Sequence, residues 1–594
     1  MITPKLSLNR GKRSHAARFM NRHNVSIVPG RHHFRRPGCL GFFGLLVATA
    51  FCANALATSA RAADESAIRL NTVGYLPQAE KRVSLAAPGT NFVIVRATDN
   101  SAVCTGKITG PSLNADTGES LYTADFSNLK KTGDYRLVVP GVGQSAPFHI
   151  AADVYREPYS TVMRGFYLWR CGTAVSNTYQ GKTFAHAACH TNDAWLDYVG
   201  GGHTHKDGAK GWHDAGDYNK YVVNAGVSVG VLFRAWEDFG PQLRKVRLDI
   251  PESGGKLPNF LAELKWEMDW LLTMQAPDGS VYHKLSTTRF GGFIPPEQET
   301  AERYFTPWGS EATADFVAMT AQSARIFRPY DSVFATRCLQ AAQKSYQFLQ
   351  VHPEYHSADQ TGFGTGFYEV NEPDHRADRL PQNRLWAAAE LWETTGSPDV
   401  LRDLETRVRA VGGRVDADFD WDETKDLGLV TYLFSQRSGR DPVLVPLVRS
   451  NLLTVADGIV QTAKSDGYER PLGARYFWGC NGAVARQTVL LMAANRLSSG
   501  KGGYRDASLD ALNHLFGRNC YGRSFVTGIG NQPPLHPHDR RSAADNVPWP
   551  GYLVGGPHPK ATDWHDEQGD YKTNEIAINW NAALVYALAA FLPR

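Results

Sequence analysis

The chain has 594 residues, with 63 Lys+Arg against 59 Asp+Glu and a formal net charge of +4. That is too long for one small domain. Ten of the basic residues and none of the acidic ones precede Asp64, so the remaining 53 basic and 59 acidic side chains carry −6. A mildly acidic body gives no reason to expect nucleic-acid binding. Six cysteines scattered after residue 63 exclude a disulfide scaffold in a chain of this size.

Residues 1–63 read as an export signal. A Lys/Arg-rich stretch leads into an apolar run from Leu40 to Ala57, and Ala60-Arg61-Ala62 offers a small-residue cleavage site. The apolar run is short and holds Gly41, Gly44 and Asn54, so no stable membrane anchor is expected. The mature protein is expected to be secreted or periplasmic. Residues 64–152 form an all-β segment: Val83-Ser-Leu85, Phe92–Arg96 and Tyr135–Val139 are β-rich runs between Pro/Gly/Asn/Asp turns, at the spacing of one small sandwich.

Residues 153–594 change period. Leu257, Phe260, Leu261, Leu264, Met268, Leu271 and Leu272 repeat at helical spacing. So do the apolar positions of Ala312–Phe327, Phe334–Leu349, Leu385–Thr394, Ala483–Leu497 and Asn581–Leu592. About twelve helices are predicted, an even count that fits helical hairpins closed into a ring. Long irregular loops at 172–220, 276–310, 352–382 and 517–575 are where such a scaffold carries function.

Two of those loops hold carboxylates among aromatics. One is Gly211-Trp-His-Asp214-Ala-Gly-Asp217-Tyr-Asn-Lys-Tyr221. The other runs from Trp564 to Ala582 and holds Asp566, Asp570, Tyr571, Glu575 and Trp580. Rings stack on sugar faces, and a carboxyl sheltered beside them keeps its proton near neutral pH. Two separated clusters of this kind suggest the acid and base of a glycosidase. The first loop also offers Cys171, Cys189, His190 and His213. Two sulfurs and two imidazoles are the donor set of a closed structural zinc site, and four protein ligands leave no position for a reactive water. Reduced free cysteines are the alternative.

With these residues in view, the chain resembles glycoside hydrolase family 9. The family's C-terminal pattern is matched by Trp564, Asp566, Tyr571, Glu575, Ala577, Asn581 and Ala582. A second pattern is matched by Ser524–Gly530 and Pro537-His538-Asp539-Arg540, with Gln532 in place of the usual Asn, Lys or Arg. Ile68–Tyr75 is similar to the opening of the immunoglobulin-like module of one subgroup. The resemblance implies a mainly α fold, an (α/α) six-hairpin barrel preceded by a small all-β immunoglobulin-like sandwich. It implies Asp217 as base, Asp214 as a second holder of the same water and Glu575 as acid, with Asp566 either catalytic or bracing the loop. His538 and Arg540 would hydrogen-bond sugar hydroxyls. Trp478, Tyr571 and Trp580, with Trp212 and Tyr218 behind them, are candidate sugar platforms. The subgroup holds zinc at the Cys/His set. The family's calcium sites are not expected in full, because Pro258-Asn259 and Gln382-Asn383-Arg384 stand where acidic residues would be needed.

The function implied is inverting endo-hydrolysis of β-1,4-glucosidic bonds by a monomer. The rivals are an exo-acting cellodextrinase, an exo-β-glucosaminidase and, less favoured, a non-catalytic carbohydrate-binding protein. No separate binding module stands apart from the barrel, so soluble glucan is expected over crystalline cellulose.

Overall fold

The computed structural model describes residues 67–369 and 382–594. The expected export signal lies outside them. The first described segment is a β module of nine strands: β1 (Ile68–Arg69), β2 (Gly74–Tyr75), β3 (Arg82–Leu85), β4 (Asn91–Arg96), β5 (Ala102–Leu113), β6 (Ser120–Asp125), β7 (Gly133–Val139), β8 (Gly143–Gln144) and β9 (Phe148–Ile150). They pair in the order β1-β3-β6-β5-β4-β7-β9-β2, with β8 on β7. Strand β5 is long enough to serve two layers. Its first half pairs with β4, its second half with β6, and the register shifts between Thr109 and Ser112 at the turn. Alternate residues such as Phe92 and Ile94 of β4, Leu137 and Val139 of β7, and Val83 and Leu85 of β3 pack into one core, as period-2 alternation requires.

The module is tied to the helical body by polar contacts. Asn71 Nδ2 donates to Asn513 Oδ1 at 3.0 Å, Ser84 Oγ to Gly467 O at 2.8 Å, and Arg518 Nε to Ser84 Oγ at 3.0 Å.

The body contains α1 (Arg156–Leu168), α2 (Val222–Leu243), α3 (Asn259–Leu271), α4 (Ser310–Phe327), α5 (Ser332–Val351), α6 (Asn383–Thr395), α7 (Pro398–Ala410), α8 (Lys425–Phe434), α9 (Leu444–Ser465), α10 (Cys480–Leu497), α11 (Tyr504–Leu515), α12 (Arg540–Asp545), α13 (Tyr571–Asn574) and α14 (Ile578–Ala589). All but α12 and α13 are full helices, and they fall into two circles. Neighbour packing runs α2–α4, α4–α6, α6–α8, α10–α14 and α14–α2, which makes α2, α4, α6, α8, α10 and α14 the inner wall. Composition explains the division. Helix α14 is buried at every residue, as an inner helix must be. Helix α9 buries only Leu444, Val448, Leu452, Ala456, Ile459, Val460 and Ala463, a single stripe at helical spacing, and so lies outside. This is the (α/α) barrel.

The predicted helices at 312–327, 334–349, 385–394 and 483–497 fall within α4, α5, α6 and α10, while the last helix ends at Ala589, three residues before the predicted end. The loops at 172–220 and 276–310 are less irregular than expected. They contain a hairpin, β10 (Val175–Tyr179) with β11 (Lys182–His186). They also share a five-stranded sheet of β12 (Trp195–Leu196), β13 (Gly202–His205), β14 (Lys220–Tyr221), β15 (Lys284–Thr287) and β16 (Arg303–Phe305). Most of these strands run two to four residues, too short for a readable alternation, and the five-residue strands β10 and β11 are polar enough that their buried positions did not stand out.

Candidate active site

A cavity of about 290 Å³ opens over the barrel, and its walls bring together Asp214, Asp217 and Glu575 from opposite ends of the sequence. Asp214 and Asp217 sit in the turn that enters β14. Gly216 is required there because a Cβ would come within 2.3 Å of the His538 carbonyl oxygen. The two motifs found in the sequence therefore touch backbone to backbone.

Asp217 accepts from Asn219 Nδ2 at 2.7 Å and from the Tyr221 hydroxyl at 3.0 Å. Burial pushes its carboxyl up, while the Arg540 charge and these two hydrogen bonds pull it back towards the ionised form. Asp214 accepts from Asn224 Nδ2 at 2.8 Å and from the Tyr368 hydroxyl at 2.7 Å. Burial and then the neighbouring Asp217 charge push it up to about 8. Glu575 is half-buried, in bridge pairing with His538, and its carbonyl accepts from Gly555 N at 2.9 Å. Burial, then the negative charges of Asp217 and Asp214, hold its carboxyl well above the ordinary range. The arrangement separates the three groups electrostatically. All three carboxyls are pushed up. At Asp217 the Arg540 charge and two hydrogen bonds oppose burial and favour the charged form, while at Glu575 burial and two carboxylate neighbours dominate, a difference in the direction that acid–base work needs.

Trp478 and Trp580 line the cavity. Trp478 is 36% exposed, whereas Trp580 is 6% exposed and has little ring surface to offer. Gly479, at a φ of +84°, makes room for Trp580: a Cβ there would lie 2.6 Å from its Nε1. Tyr571 lies outside the cavity lining, 45% exposed, with its ring centroid 5.3 Å from that of Trp478. Trp212 and Tyr218 are not platforms. Trp212 is 1% exposed and donates from Nε1 to Glu263 at 2.9 Å, and Tyr218 is 1% exposed and donates to Ile294 O at 2.6 Å.

Three further expectations change. Asp566 does not line the cavity. Its carboxylate accepts from Leu535 N at 2.9 Å, His536 N at 2.9 Å and Arg523 Nη2 at 2.8 Å, which fits bracing and leaves no room for chemistry. Arg540, expected on a sugar hydroxyl, instead donates to Gly216 O at 2.6 Å and Gly291 O at 3.1 Å, fixing the turn between Asp214 and Asp217. His538 is half-buried outside the lining, with Nδ1 2.7 Å from Gln568 O. Residues that line the cavity and were not singled out include Tyr368, Asp418, Asp420, Trp421, Asp422, Arg486 and Asn579. The run Asp418-Phe-Asp420-Trp421-Asp422 carries the same interleaving of carboxylates and aromatics as the segment at 564–580, and that signal was available.

Directly behind the Asp214 turn, the ligand atoms of Cys171, Cys189, His190 and His213 lie within 4.8 Å of one another. The residues fit a metal. Both thiols are free and buried, and His190 Nδ1, His190 Nε2 and His213 Nδ1 are buried without a hydrogen-bond partner, a costly arrangement for groups with nothing to bind. Glu299 Oε2 stands 3.4 Å from His190 Nε2, a carboxylate behind an imidazole as metal sites commonly have.

A helical barrel with two carboxylate clusters in an aromatic cleft defines a glycosidase. The family description Glycosyl hydrolase family 9 matches residues 155–588, and that of the cellulase N-terminal ig-like domain matches residues 63–144. Endoglucanase D of Acetivibrio thermocellus is 54% identical over 533 residues, covering 89% of this chain and 84% of that protein. A solved metagenome-derived family 9 endoglucanase superposes with a TM-score of 0.82 at 34% identity, covering 88% of this chain and 98% of that one. A Zn-binding triple mutant of the family 9 endoglucanase J30 superposes with a TM-score of 0.80 at 32% identity, over 87% and 99%. The chain belongs to glycosyl hydrolase family 9, whose members invert the anomeric centre.

Proposed function

We propose that this chain is an endo-β-1,4-glucanase in which Asp217 is the base, Asp214 helps to hold its water and Glu575 is the acid. The observation that carries the reading is the cleft itself, where Asp217 accepts from Tyr221 and Asn219 beside Arg540, contacts that favour its charged form, while burial and two carboxylate neighbours push the Glu575 carboxyl well above the ordinary range. In an inverting step Asp217 takes a proton from water as the water attacks the anomeric carbon. Glu575 gives its proton to the departing glycosidic oxygen, so charge moves from one carboxyl to the other and the sum is unchanged. Trp478 supplies a face for a sugar ring.

Cys171, Cys189, His190 and His213 would hold a zinc ion. With four protein ligands it supplies a rigid tie and no activated water. His213 is bonded in sequence to Asp214, so the tie would set the turn that presents the base. Among the described residues no helix is long and apolar enough to cross a membrane. The export signal read at 1–63 supports a secreted or periplasmic protein.

The test is the ratio of viscosity loss to new reducing ends on carboxymethyl-cellulose. Internal cleavage drops viscosity before reducing ends accumulate. Reducing ends released at steady viscosity would instead assign an exo-acting enzyme.

A further inference from the structure

The loop between β15 and β16 holds two phenylalanines out in solvent beside the cleft. Phe290 is 49% exposed and lines the cavity, while Phe293 is 43% exposed and does not. Among the described residues, Phe290 and Trp478 are the exposed apolar rings of that lining. A loop with Gly291 and Gly292 between its rings would fold them inward unless something held it.

Buried polar groups hold it. Tyr218 donates to Ile294 O at 2.6 Å, and Arg540 Nε donates to Gly291 O at 3.1 Å. The Arg540 guanidinium carbon lies 5.5 Å from the Phe290 ring centroid and 5.8 Å from that of Phe293, close enough to brace both rings. Since Arg540 Nη1 also donates to Gly216 O, the loop is fastened to the turn that carries Asp217. Glu299 is the wedge beneath it. A Cβ at Gly291 would come within 2.1 Å of Glu299 Oε1, so the carboxyl fills the space under that glycine. Its Oε2 stands 3.4 Å from His190 Nε2. The wedge therefore reaches from the Cys171–His213 cluster to the underside of the loop.

We propose that Phe290 is a second sugar platform, on the base side of the cleft, and that Glu299 is its positioning residue. A flat ring beside the base offers the apolar C–H face of a sugar what Trp478 offers elsewhere in the cleft. The proposal rests on the glucanase reading and adds a substrate-binding wall to it.

The test uses the full chain carrying Glu575→Gln, with cellopentaose binding read by calorimetry. Adding Phe290→Ala should weaken binding about tenfold, the worth of one stacked ring, and Phe290→Tyr should restore it. Phe293→Ala should leave it unchanged. Glu299→Gln keeps the wedge and should bind normally, whereas Glu299→Ala should weaken cellopentaose much as Phe290→Ala does. In the Phe290→Ala background Glu299→Ala should cost nothing further, because it acts through that ring. Affinity is the readout because the Glu299 charge also presses on Asp217 and would disturb kcat by itself. If Glu299→Ala unfolds, Gly291→Ala takes its place by driving a methyl into the Glu299 carboxyl.

Unchanged affinity in Phe290→Ala, or an equal loss in Phe293→Ala, overturns the platform. Equal weakening by Glu299→Ala with and without Phe290 overturns the positioning role. A wild type that leaves cellopentaose uncut overturns the glucanase reading, and the platform with it.

Discussion

The turn that carries Asp217 and the segment that carries Glu575 reach the same cleft by different means. The turn is fixed from behind by dispersed, buried, mostly charged groups. The Cys171–His213 cluster sits against it. Glu267 Oε2 accepts from Trp212 N at 2.6 Å, and Lys220 Nζ donates to Gly208 O at 2.6 Å while standing 3.4 Å from Asp193. The Glu575 segment is fixed by uncharged partners, some within the segment and some from residues 536 and 554. Trp564 Nε1 donates to Asn574 Oδ1 at 3.1 Å, Asn574 Nδ2 donates to His536 O at 2.7 Å, and Ile576 pairs with Val554. A base must hold a water at a set angle, and a rigid, distant framework suits it. An acid needs shelter for its proton, and a short apolar segment provides that.

The largest break in this comparison comes from the two reacting groups. Glu575→Gln and Asp217→Asn should each lower kcat roughly 10²- to 10⁴-fold with the fold intact by circular dichroism. A loss below tenfold in either would remove that residue from the chemistry. Next comes the framework. Cys189→Ser should release bound zinc, measured by plasma emission, and lower the melting temperature by several degrees along with kcat, since an incomplete ligand set leaves buried donors without a purpose. The matching cut on the other side, Asp566→Asn, should lower kcat about tenfold and leave the zinc content unchanged. If it also stripped the metal, the two supports would not be independent.

The smallest effect is on pH. The Tyr221 hydroxyl donates to the charged form of Asp217, so Tyr221→Phe raises the pKa of the base. The acid limb of kcat/KM should then move to higher pH by about one unit, while the alkaline limb set by Glu575 stays in place. A shift of the acid limb to lower pH would contradict the assignment of Asp217.

The same contrast explains what was legible in the sequence. Trp564, Asp566, Glu575 and Asn581 fall within eighteen consecutive residues, so a linear pattern captures them. Asp214 and Asp217 were readable for the same local reason. The ligand set was readable because sulfur and imidazole are scarce, although it spans residues 171 to 213. Asp420 was missed although its run of carboxylates and aromatics was readable, whereas Tyr368, Arg486 and Asn579 are ordinary residues until the barrel closes and brings α10, α14 and the loop before α6 to one cleft. Of the two roles open to Asp566 its contacts favour bracing, and Arg540 was read without its bonds to the Gly216 and Gly291 carbonyls. A sequence shows that a charged side chain is present, but only packing shows that its hydrogen bonds are already committed to backbone.

The most direct test of the account is the anomer first released from cellopentaose, followed by proton NMR with wild type and Glu575→Gln side by side. The account predicts α-anomer appearing ahead of mutarotation in the wild type and no product signal on that timescale in the mutant. Early β-anomer, or α-anomer undiminished in Glu575→Gln, would contradict it.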